Sequence, residues 1–217
     1  MTDSITIDSV FLNFGTTEVL RGVYLEFKPN QTTGLLGRNG SGKSCLLQII
    51  TGQLYAQNRH IRYRDQPLRN LYQKKGLINY LPQHRCHPTA LSIKQLLRYY
   101  NIPTTAFVAH YPFAQELLST KLGQLSGGEQ RLLETLLVLE APTLFTILDE
   151  PFSHIAPRQI DLVKQRINTL KTQKGILLTN HQYQHILDLS DALYLLKDGT
   201  TVPVVNEMDL RRYGYIR

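Results

Sequence analysis

The chain has 217 residues, of which 42% are hydrophobic and 19% charged, and its formal net charge is +7 at pH 7. This length suits one domain with a buried core, and the composition excludes wholesale disorder. The two cysteines are too few for a disulfide framework, which favours a reducing compartment. No signal peptide is visible at the N-terminus, and no apolar run approaches the roughly 18 residues of a membrane span. We therefore expect a cytosolic protein, or one at a cytosolic surface.

The positive charge is distributed weakly along the chain. Basic residues gather at 59–64, at Lys74 and Lys75, and again at 211–217. This pattern is typical of a solvated surface with a modest excess of cations, and a nucleotide-binding protein also gains from a positive field near phosphate. Nucleic acid and acidic lipid are the alternative partners, and of these we do not expect nucleic acid. Charge alone selects no function.

The first half of the chain carries strand signals interrupted by two helices. Segments rich in β-branched and aromatic residues predict strands at 5–14, 23–27, 32–36, 60–65 and 77–80. An apolar run predicts a helix over 44–51 that ends at Gly52. Ser92 and Gln95 form a capping-box pattern that predicts a second helix, to about residue 100.

The second half alternates regularly between helix and strand. A capping box at Ser126 and Glu129 predicts a helix to residue 140, and Asp198-Gly199 predicts a hairpin. Further strands are predicted at 143–148, 176–179, 192–197 and 201–205, and further helices at 157–171 and 182–189. Such alternation predicts a single α/β domain over 1–217, with a largely parallel sheet covered on both faces and an antiparallel edge. The stretch from about 84 to 125 is richer in helix signals, and we expect a small helical lobe there.

One segment between a predicted strand and a predicted helix fits the phosphate-loop pattern G-x-x-x-x-G-K-S. It consists of Gly37, Arg38, Asn39, Gly40, Ser41, Gly42, Lys43 and Ser44. Glycines let backbone N–H groups curl around phosphate oxygens, and the helix N-terminus adds its dipole. We expect Lys43 to reach the terminal phosphates and the Ser44 hydroxyl to bind Mg²⁺. The pattern therefore predicts a nucleotide site.

An acidic pair follows the strand predicted at 143–148. Asp149 at the strand end would hold Mg²⁺ through its hydration shell, and Glu150 would face the attacking water. An acidic pair after a strand is commonly an ordinary turn. The phosphate loop in the same chain favours the catalytic interpretation.

The run Leu125-Ser126-Gly127-Gly128-Glu129-Gln130 begins the helix predicted to end at residue 140. Alone it is a helix cap that can also bind an anion through free N–H groups. Together with the phosphate loop, it resembles the signature motif of ABC (ATP-binding cassette) ATPases. The resemblance extends from about Ile5 to the last predicted strand.

This resemblance implies a P-loop fold of the ABC type, ATP and Mg²⁺ as cofactors, and a dimer that sandwiches two ATP molecules. The partner copy would be a second identical chain or another ABC ATPase. Ser126, Gly127 and Gly128 would then contact the γ-phosphate held by the other copy. A monomer should accordingly hydrolyse ATP poorly.

Four further positions are identified by matching the family's motifs. Gln83 matches the Q-loop, which touches Mg²⁺ or the water and relays to a membrane partner, and His181 matches the histidine that contacts the γ-phosphate. Phe14 falls where the family usually has an aromatic residue stacked on adenine; judged alone, it would be a core residue. Cys45 follows Ser44 where the family often has Ser or Thr, and we expect a small buried residue there.

The chain departs from the family after Glu150. The family usually shows Ser-Ala-Leu-Asp in the loop that crosses the dimer interface, whereas this chain has Ala156 in place of the aspartate. The departure affects how this loop couples the two ATP sites. At Phe152, also in this loop, the chain resembles the ATPases of lipopolysaccharide export and branched-chain amino-acid import.

Two groups of residues also suggest metal ligands. His181 and His185 have helical spacing, but no carboxylate motif accompanies them. His84, Cys86 and His87 adjoin Gln83 in a polar turn, where a structural or partner-contacting role competes with metal binding. The sequence alone does not decide whether His84, Cys86 and His87 bind a metal or have a structural or partner-contacting role.

Taken together, the motifs predict the ATPase subunit of a transporter, which docks on separate transmembrane subunits at the inner face of the membrane. A soluble ABC ATPase of a non-transport class is the alternative, although the chain has neither the coiled coils, the CxxC pairs nor the second cassette of such proteins. A non-catalytic ATP-binding module is the third hypothesis, against which the presence of Glu150 and His181 argues.

Overall fold

A computed structural model describes residues 3–216, so the ends of the predicted domain at residues 1, 2 and 217 lie outside the described part. Its strands form two sheets of six and four strands. The strands are β1 (Ile5–Phe14), β2 (Thr17–Phe27), β3 (Thr32–Leu36), β4 (Asn58–Tyr63), β5 (Gln66–Leu68), β6 (Ile78–Leu81), β7 (Phe145–Asp149), β8 (Gly175–Thr179), β9 (Ala192–Lys197) and β10 (Thr200–Val204).

The six-stranded sheet has the order β10-β9-β3-β8-β7-β6. Five of its strands are parallel, and β10 adds an antiparallel edge through a hairpin with β9. Asp198 and Gly199 in the hairpin turn have φ values of 49° and 80°, which a two-residue turn of this kind requires. The predicted mixed sheet with an antiparallel edge is confirmed.

The first two strands belong to a separate antiparallel sheet of order β2-β1-β4-β5. The prediction of a strand over 60–65 is wrong at its C-terminal end, because β4 ends at Tyr63. Arg64 and Asp65 adopt φ values of 51° and 61°, so they form the turn into β5, a short strand that the sequence pattern did not reveal.

Eight α-helices lie in the described residues, together with two short 3₁₀ helices at Leu71–Gln73 and Leu122–Gln124. The α-helices are α1 (Lys43–Thr51), α2 (Ile93–Tyr99), α3 (Thr104–His110), α4 (Ala114–Leu117), α5 (Gly127–Glu140), α6 (Pro157–Leu170), α7 (Tyr183–Leu189) and α8 (Glu207–Arg212). Both predicted capping boxes are present, at Ser92 and at Ser126. The stretch 84–125 contains α2, α3 and α4, of which only α2 was predicted individually.

Alternate residues of the parallel strands face two different cores. Leu35, Ile147 and Leu177 pack with α1 and the four-stranded sheet. Leu36, Leu148 and Leu178 pack on the opposite face with α5, α6 and the helices of 84–125. Because both faces are covered, β3, β7 and β8 are buried throughout. Apart from buried threonines, their residues before the carboxyl ends are apolar, and Asp149 and Thr179 stand at the ends of β7 and β8. Within residues 3–216, no helix is both long and apolar enough to span a bilayer.

Candidate functional site

The phosphate loop connects the end of β3 to the start of α1. Gly42 is the N-terminal cap of α1 and has a φ of 99°, a conformation that residues with a side chain rarely adopt. A Cβ at this position would also stand 3.0 Å from side-chain atoms of Val19 and Leu20. A glycine is therefore required here for the backbone to turn into the helix.

Lys43 closes the loop on itself. Its Nζ donates hydrogen bonds to the carbonyl oxygens of Gly37 (2.7 Å) and Arg38 (3.2 Å), and the residue is 7% exposed. Burial lowers the pKa of Lys43, while the nearby carboxylates of Glu150 and Asp149 oppose that shift. The lysine is thus held where a phosphate would replace the two carbonyl acceptors.

Asp149 lies at the carboxyl end of β7, directly beside the start of α1. Its Oδ1 accepts a hydrogen bond of 2.6 Å from Thr179, whereas its Oδ2 is buried without a hydrogen-bond partner. Burial raises the pKa of Asp149, and the neighbouring hydroxyls of Thr179 and Ser44 work against that rise. The unpaired, buried carboxylate oxygen and the neighbouring Ser44 hydroxyl are oxygen ligands of the kind that Mg²⁺ prefers.

Glu150 follows with a left-handed backbone conformation, at a φ of 52°. The backbone N–H of Glu150 donates to the carbonyl oxygen of Thr179 at 3.1 Å. Its Oε2 accepts a hydrogen bond of 3.1 Å from Ser153 and lies 3.5 Å from Nδ1 of His181. The carboxylate is therefore held by neighbours on two loops and directed away from the core.

A cleft of about 340 Å³ lies between these elements. Its lining includes Phe14, Asn39, Gly40, Ser41, Gly42, Lys43, Ser44, Cys45, Gln83 and Glu150. Phe14 is 53% exposed, so its interpretation as a core residue is wrong. Cys45 is only half-buried; it lines the cleft and also packs against the core between α1 and the four-stranded sheet. His181 lines a neighbouring cleft of about 740 Å³ with Gly37, Arg38 and Asn39.

The signature residues lie apart from both clefts. Ser126 is exposed, and its hydroxyl donates a hydrogen bond of 2.6 Å to Glu129 Oε2 while accepting one from the Glu129 N–H. Gly128 touches the loop after Glu150, because a Cβ there would stand 2.6 Å from the carbonyl oxygen of His154. Within one chain, the structure does not bring Ser126, Gly127 or Gly128 to the phosphate loop.

Arg131 is a functional residue that the sequence analysis missed. Its guanidinium is buried and donates to the carbonyl oxygens of Pro82 (2.8 Å), Asp149 (2.5 Å) and Glu150 (3.0 Å). It therefore fixes the segment before Gln83, the end of β7 and the signature helix α5 relative to one another. A lone arginine at the head of a leucine-rich helix was the available signal.

The position that departs from the family is a helix cap. Ala156 is the N-cap of α6 and has the extended backbone of such a position, but it cannot supply a side-chain hydrogen bond. Gln159 supplies only the reciprocal half of a capping box, since its Oε1 accepts a hydrogen bond of 3.0 Å from the Ala156 N–H. The substitution of the usual aspartate thus leaves α6 without a carboxylate at its N-terminus.

The predicted histidine pair is divided between different partners. His181 lies near Glu150, whereas the ring of His185 packs edge-to-face against Phe152 with 5.1 Å between ring centroids. Burial lowers the pKa of His185, which favours its neutral form. The structure therefore gives these two histidines separate roles.

Comparison with known proteins agrees with this geometry. The sequence pattern of the family described as "ABC transporter" matches residues 20–153, more than half of the chain. The chain therefore belongs to the ABC transporter family. It is an ATP-binding and ATP-hydrolysing component of that class, as the signature motif predicted.

Individual relatives and a solved structure are likewise named as ATP-binding proteins or cassettes. The chain is 29% identical to the uncharacterized ABC transporter ATP-binding protein YhaQ of Bacillus subtilis, over 91% of this chain and 70% of YhaQ. It is 27% identical to the lipopolysaccharide export system ATP-binding protein LptB of Haemophilus influenzae, over 96% of this chain and 95% of LptB. The fold matches a nucleotide-free ATP-binding cassette from an ABC transporter with a TM-score of 0.80 and 22% identity, covering 100% and 96% of the two chains.

Proposed function

We propose that the cleft beside the phosphate loop binds ATP together with Mg²⁺, and that Glu150 activates the water that attacks the γ-phosphate. The observation that carries this proposal is the buried, unpartnered Oδ2 of Asp149 next to Ser44. Ser44, Gln83 and Asp149 would hold the Mg²⁺ ion, with Asp149 acting through its hydration shell. When bound, the ion would neutralise charge on the phosphates.

The remaining residues have roles that follow from their contacts. Phe14, exposed at the rim of the cleft, would stack on the adenine. Glu150 would accept the proton of the attacking water, so that ATP and water give ADP and phosphate. Lys43 and His181 would stabilise the charge that develops on the transferred phosphoryl group. Backbone N–H groups of the phosphate loop would hold the other phosphates.

We further propose that two copies complete each other's site. Ser126, Gly127 and Gly128 lie outside the cleft of their own chain but carry a helix N-terminus suited to an anion. In a head-to-tail dimer they would meet the γ-phosphate of the partner copy. A different ABC ATPase with the same motifs can take the place of the identical copy, because the proposal needs only a phosphate loop opposite the signature.

The test replaces the proposed base without changing its shape. Glu150→Gln should lower the steady-state rate of phosphate release by at least about a hundredfold, the usual contribution of general base catalysis. ATP affinity, measured with a fluorescent analogue, should stay within about twofold. Glu116→Gln removes an exposed carboxylate on α4 and serves as the matched control. Equal rates for Glu150→Gln and the parent chain would contradict the proposed role.

We propose that the chain works as a peripheral subunit on the inner face of the membrane, bound to transmembrane subunits. Residues 84–125, as a helical lobe of one domain, and Gln83 would form the docking surface. Its relative LptB is named as part of a lipopolysaccharide export system, which supports a transport role here. The tagged Glu150→Gln variant, which should trap the ATP-bound dimer, is purified from cells extracted with mild detergent, and the proteins that co-purify with it are identified. Recovery of a polytopic membrane protein would support this proposal, whereas recovery of soluble partners alone would favour a non-transport ABC ATPase.

A further inference from the structure

A cluster of three different metal-ligand types lies next to the segment that contains Gln83. Cys86 and His87 follow Gln83 in the same turn, and Glu134 projects from α5 to meet them. The side chains of His87 and Glu134 are 5% and 2% exposed, so the cluster has a buried floor. None of these three residues lines the nucleotide cleft.

The three donor atoms lie close to the spacing that they would have around one ion. His87 Nδ1 lies 2.8 Å from Glu134 Oε1 and 3.2 Å from Cys86 Sγ, and the sulfur lies 4.0 Å from the same carboxylate oxygen. Tetrahedral zinc with ordinary bond lengths places such atoms about 3.3–3.6 Å apart. Shifts of about half an ångström would therefore bring all three atoms to bonding distance.

His87 is oriented as metal-binding histidines usually are. Its other ring nitrogen, Nε2, lies 2.6 Å from the hydroxyl of Tyr100, and the two rings pack edge-to-face. A tyrosine hydroxyl can donate or accept, so it can accept a hydrogen bond from the Nε2–H group when Nδ1 binds a metal. A hydrogen bond of this kind on the far nitrogen fixes the ring and strengthens the ligand.

The charges also suit a divalent ion. A metal binds the thiolate form of cysteine, so it would displace the proton of the Cys86 thiol. A thiolate from Cys86 and the carboxylate of Glu134 together would neutralise one divalent ion. One proton, from the thiol, would leave on binding. The exposed position of Cys86, with His84 in the same turn, leaves the fourth coordination position open to water or imidazole.

We propose that Cys86, His87 and Glu134 bind a single zinc ion beside the nucleotide machinery. Mixed sulfur, nitrogen and oxygen ligands in a tetrahedral arrangement are typical of Zn²⁺ in proteins. The ion would tie the segment after Gln83 to α5, the helix that begins with the signature residues. This inference does not depend on the roles proposed for the cleft, because it rests on different side chains.

Cobalt titration tests the site in the full-length chain, without nucleotide. Co²⁺ bound by a thiolate gives an intense charge-transfer band, whereas Co²⁺ held only by oxygen ligands, as at Asp149, does not. We expect one equivalent of Co²⁺ to produce this band, and Zn²⁺ to abolish it by displacing the cobalt. The matched cysteine variants are Cys86→Ser, which should lose the band, and Cys45→Ser, which should keep it.

Glu134→Gln gives an independent test, because it keeps the shape of the side chain and removes its charge. We expect its affinity for Zn²⁺, measured against a chromophoric chelator, to fall at least about tenfold. Circular dichroism establishes that each variant is folded. The proposal is overturned if the parent chain gives no thiolate band, if the band survives Cys86→Ser, or if Glu134→Gln binds Zn²⁺ with unchanged affinity.

Discussion

The phosphate loop and the signature segment are both helix N-termini that present backbone N–H groups, yet the serine hydroxyls beside them are satisfied in opposite ways. Around the phosphate loop, the buried Ser41 Oγ and Asp149 Oδ2 have no hydrogen-bond partner within the described chain. At the signature segment, Ser126 and Glu129 satisfy each other in a capping box exposed to solvent.

This difference indicates which half of the site needs a ligand to complete it. Leaving a buried polar group unpaired costs about 1–3 kcal/mol, and a bound nucleotide with its metal would recover that cost at the phosphate loop. The Ser126 hydroxyl is already paired, so a phosphate there must compete with Glu129 for it, although the buried Oε1 of Gln130 in the same segment has no hydrogen-bond partner among the described residues. Arg131 links the two regions, because it belongs to the signature helix α5 and its guanidinium donates hydrogen bonds to the carbonyl oxygens of Asp149 and Glu150.

The largest expected effect on stability therefore comes from breaking this link. Arg131→Met should lower the free energy of unfolding by about 3 kcal/mol, because three carbonyl oxygens lose a charged donor. Urea denaturation measures the change. Arg158→Met, on the exposed first turn of α6, is the control and should stay within about 0.5 kcal/mol. If both variants unfold alike, Arg131 does not hold the two regions together.

A smaller effect separates capping from phosphate binding at the signature segment. Ser126→Ala and Ser92→Ala remove the same type of capping box, and each should cost about 1 kcal/mol of unfolding free energy. Only Ser126→Ala should also lower ATP hydrolysis, by about tenfold, since a hydrogen bond to a charged phosphate is lost. Equal turnover in the two variants would mean that Ser126 serves only as a cap.

The smallest effect concerns α6, whose N-terminus lies in the same loop region as the signature contact. Ala156→Asp should raise the free energy of unfolding by about 0.5–1 kcal/mol, because the carboxylate can cap the helix and no acidic residue stands in its first turn. Ala156→Asn, which caps without charge, should give part of this gain in the same urea titration. A loss of stability in both variants would show that the loop has no room for a cap.

Local chemistry predicted much of the fold and the site. The Gly-x-x-x-x-Gly-Lys-Ser spacing located the phosphate loop, and the capping boxes at Ser92 and Ser126 located the starts of α2 and α5. Asp198-Gly199 predicted the edge hairpin. In each case a few adjacent residues carry the whole signal, because caps and turns depend on neighbouring backbone groups.

Features that depend on distant contacts were not predicted. The separation of β1 and β2 into their own sheet depends on pairing with β4, which no alternation pattern reveals. Helix α3 has β-branched and aromatic residues and no side-chain cap, so its stability comes from packing of Phe107 and Tyr111. The Arg131 clamp joins carbonyls from two distant loops, and sequence shows only that an arginine precedes a run of leucines.

At Glu150, the position of the carboxylate depends on a strained, left-handed backbone conformation. A side chain in this conformation costs of order 1–2 kcal/mol relative to glycine, and the bond between the Glu150 N–H and Thr179 holds it there. Selection for thermal endurance alone would favour glycine or asparagine at this position. Glutamate at this position thus combines a less stable backbone with a carboxylate that lines the cleft beside the phosphate loop.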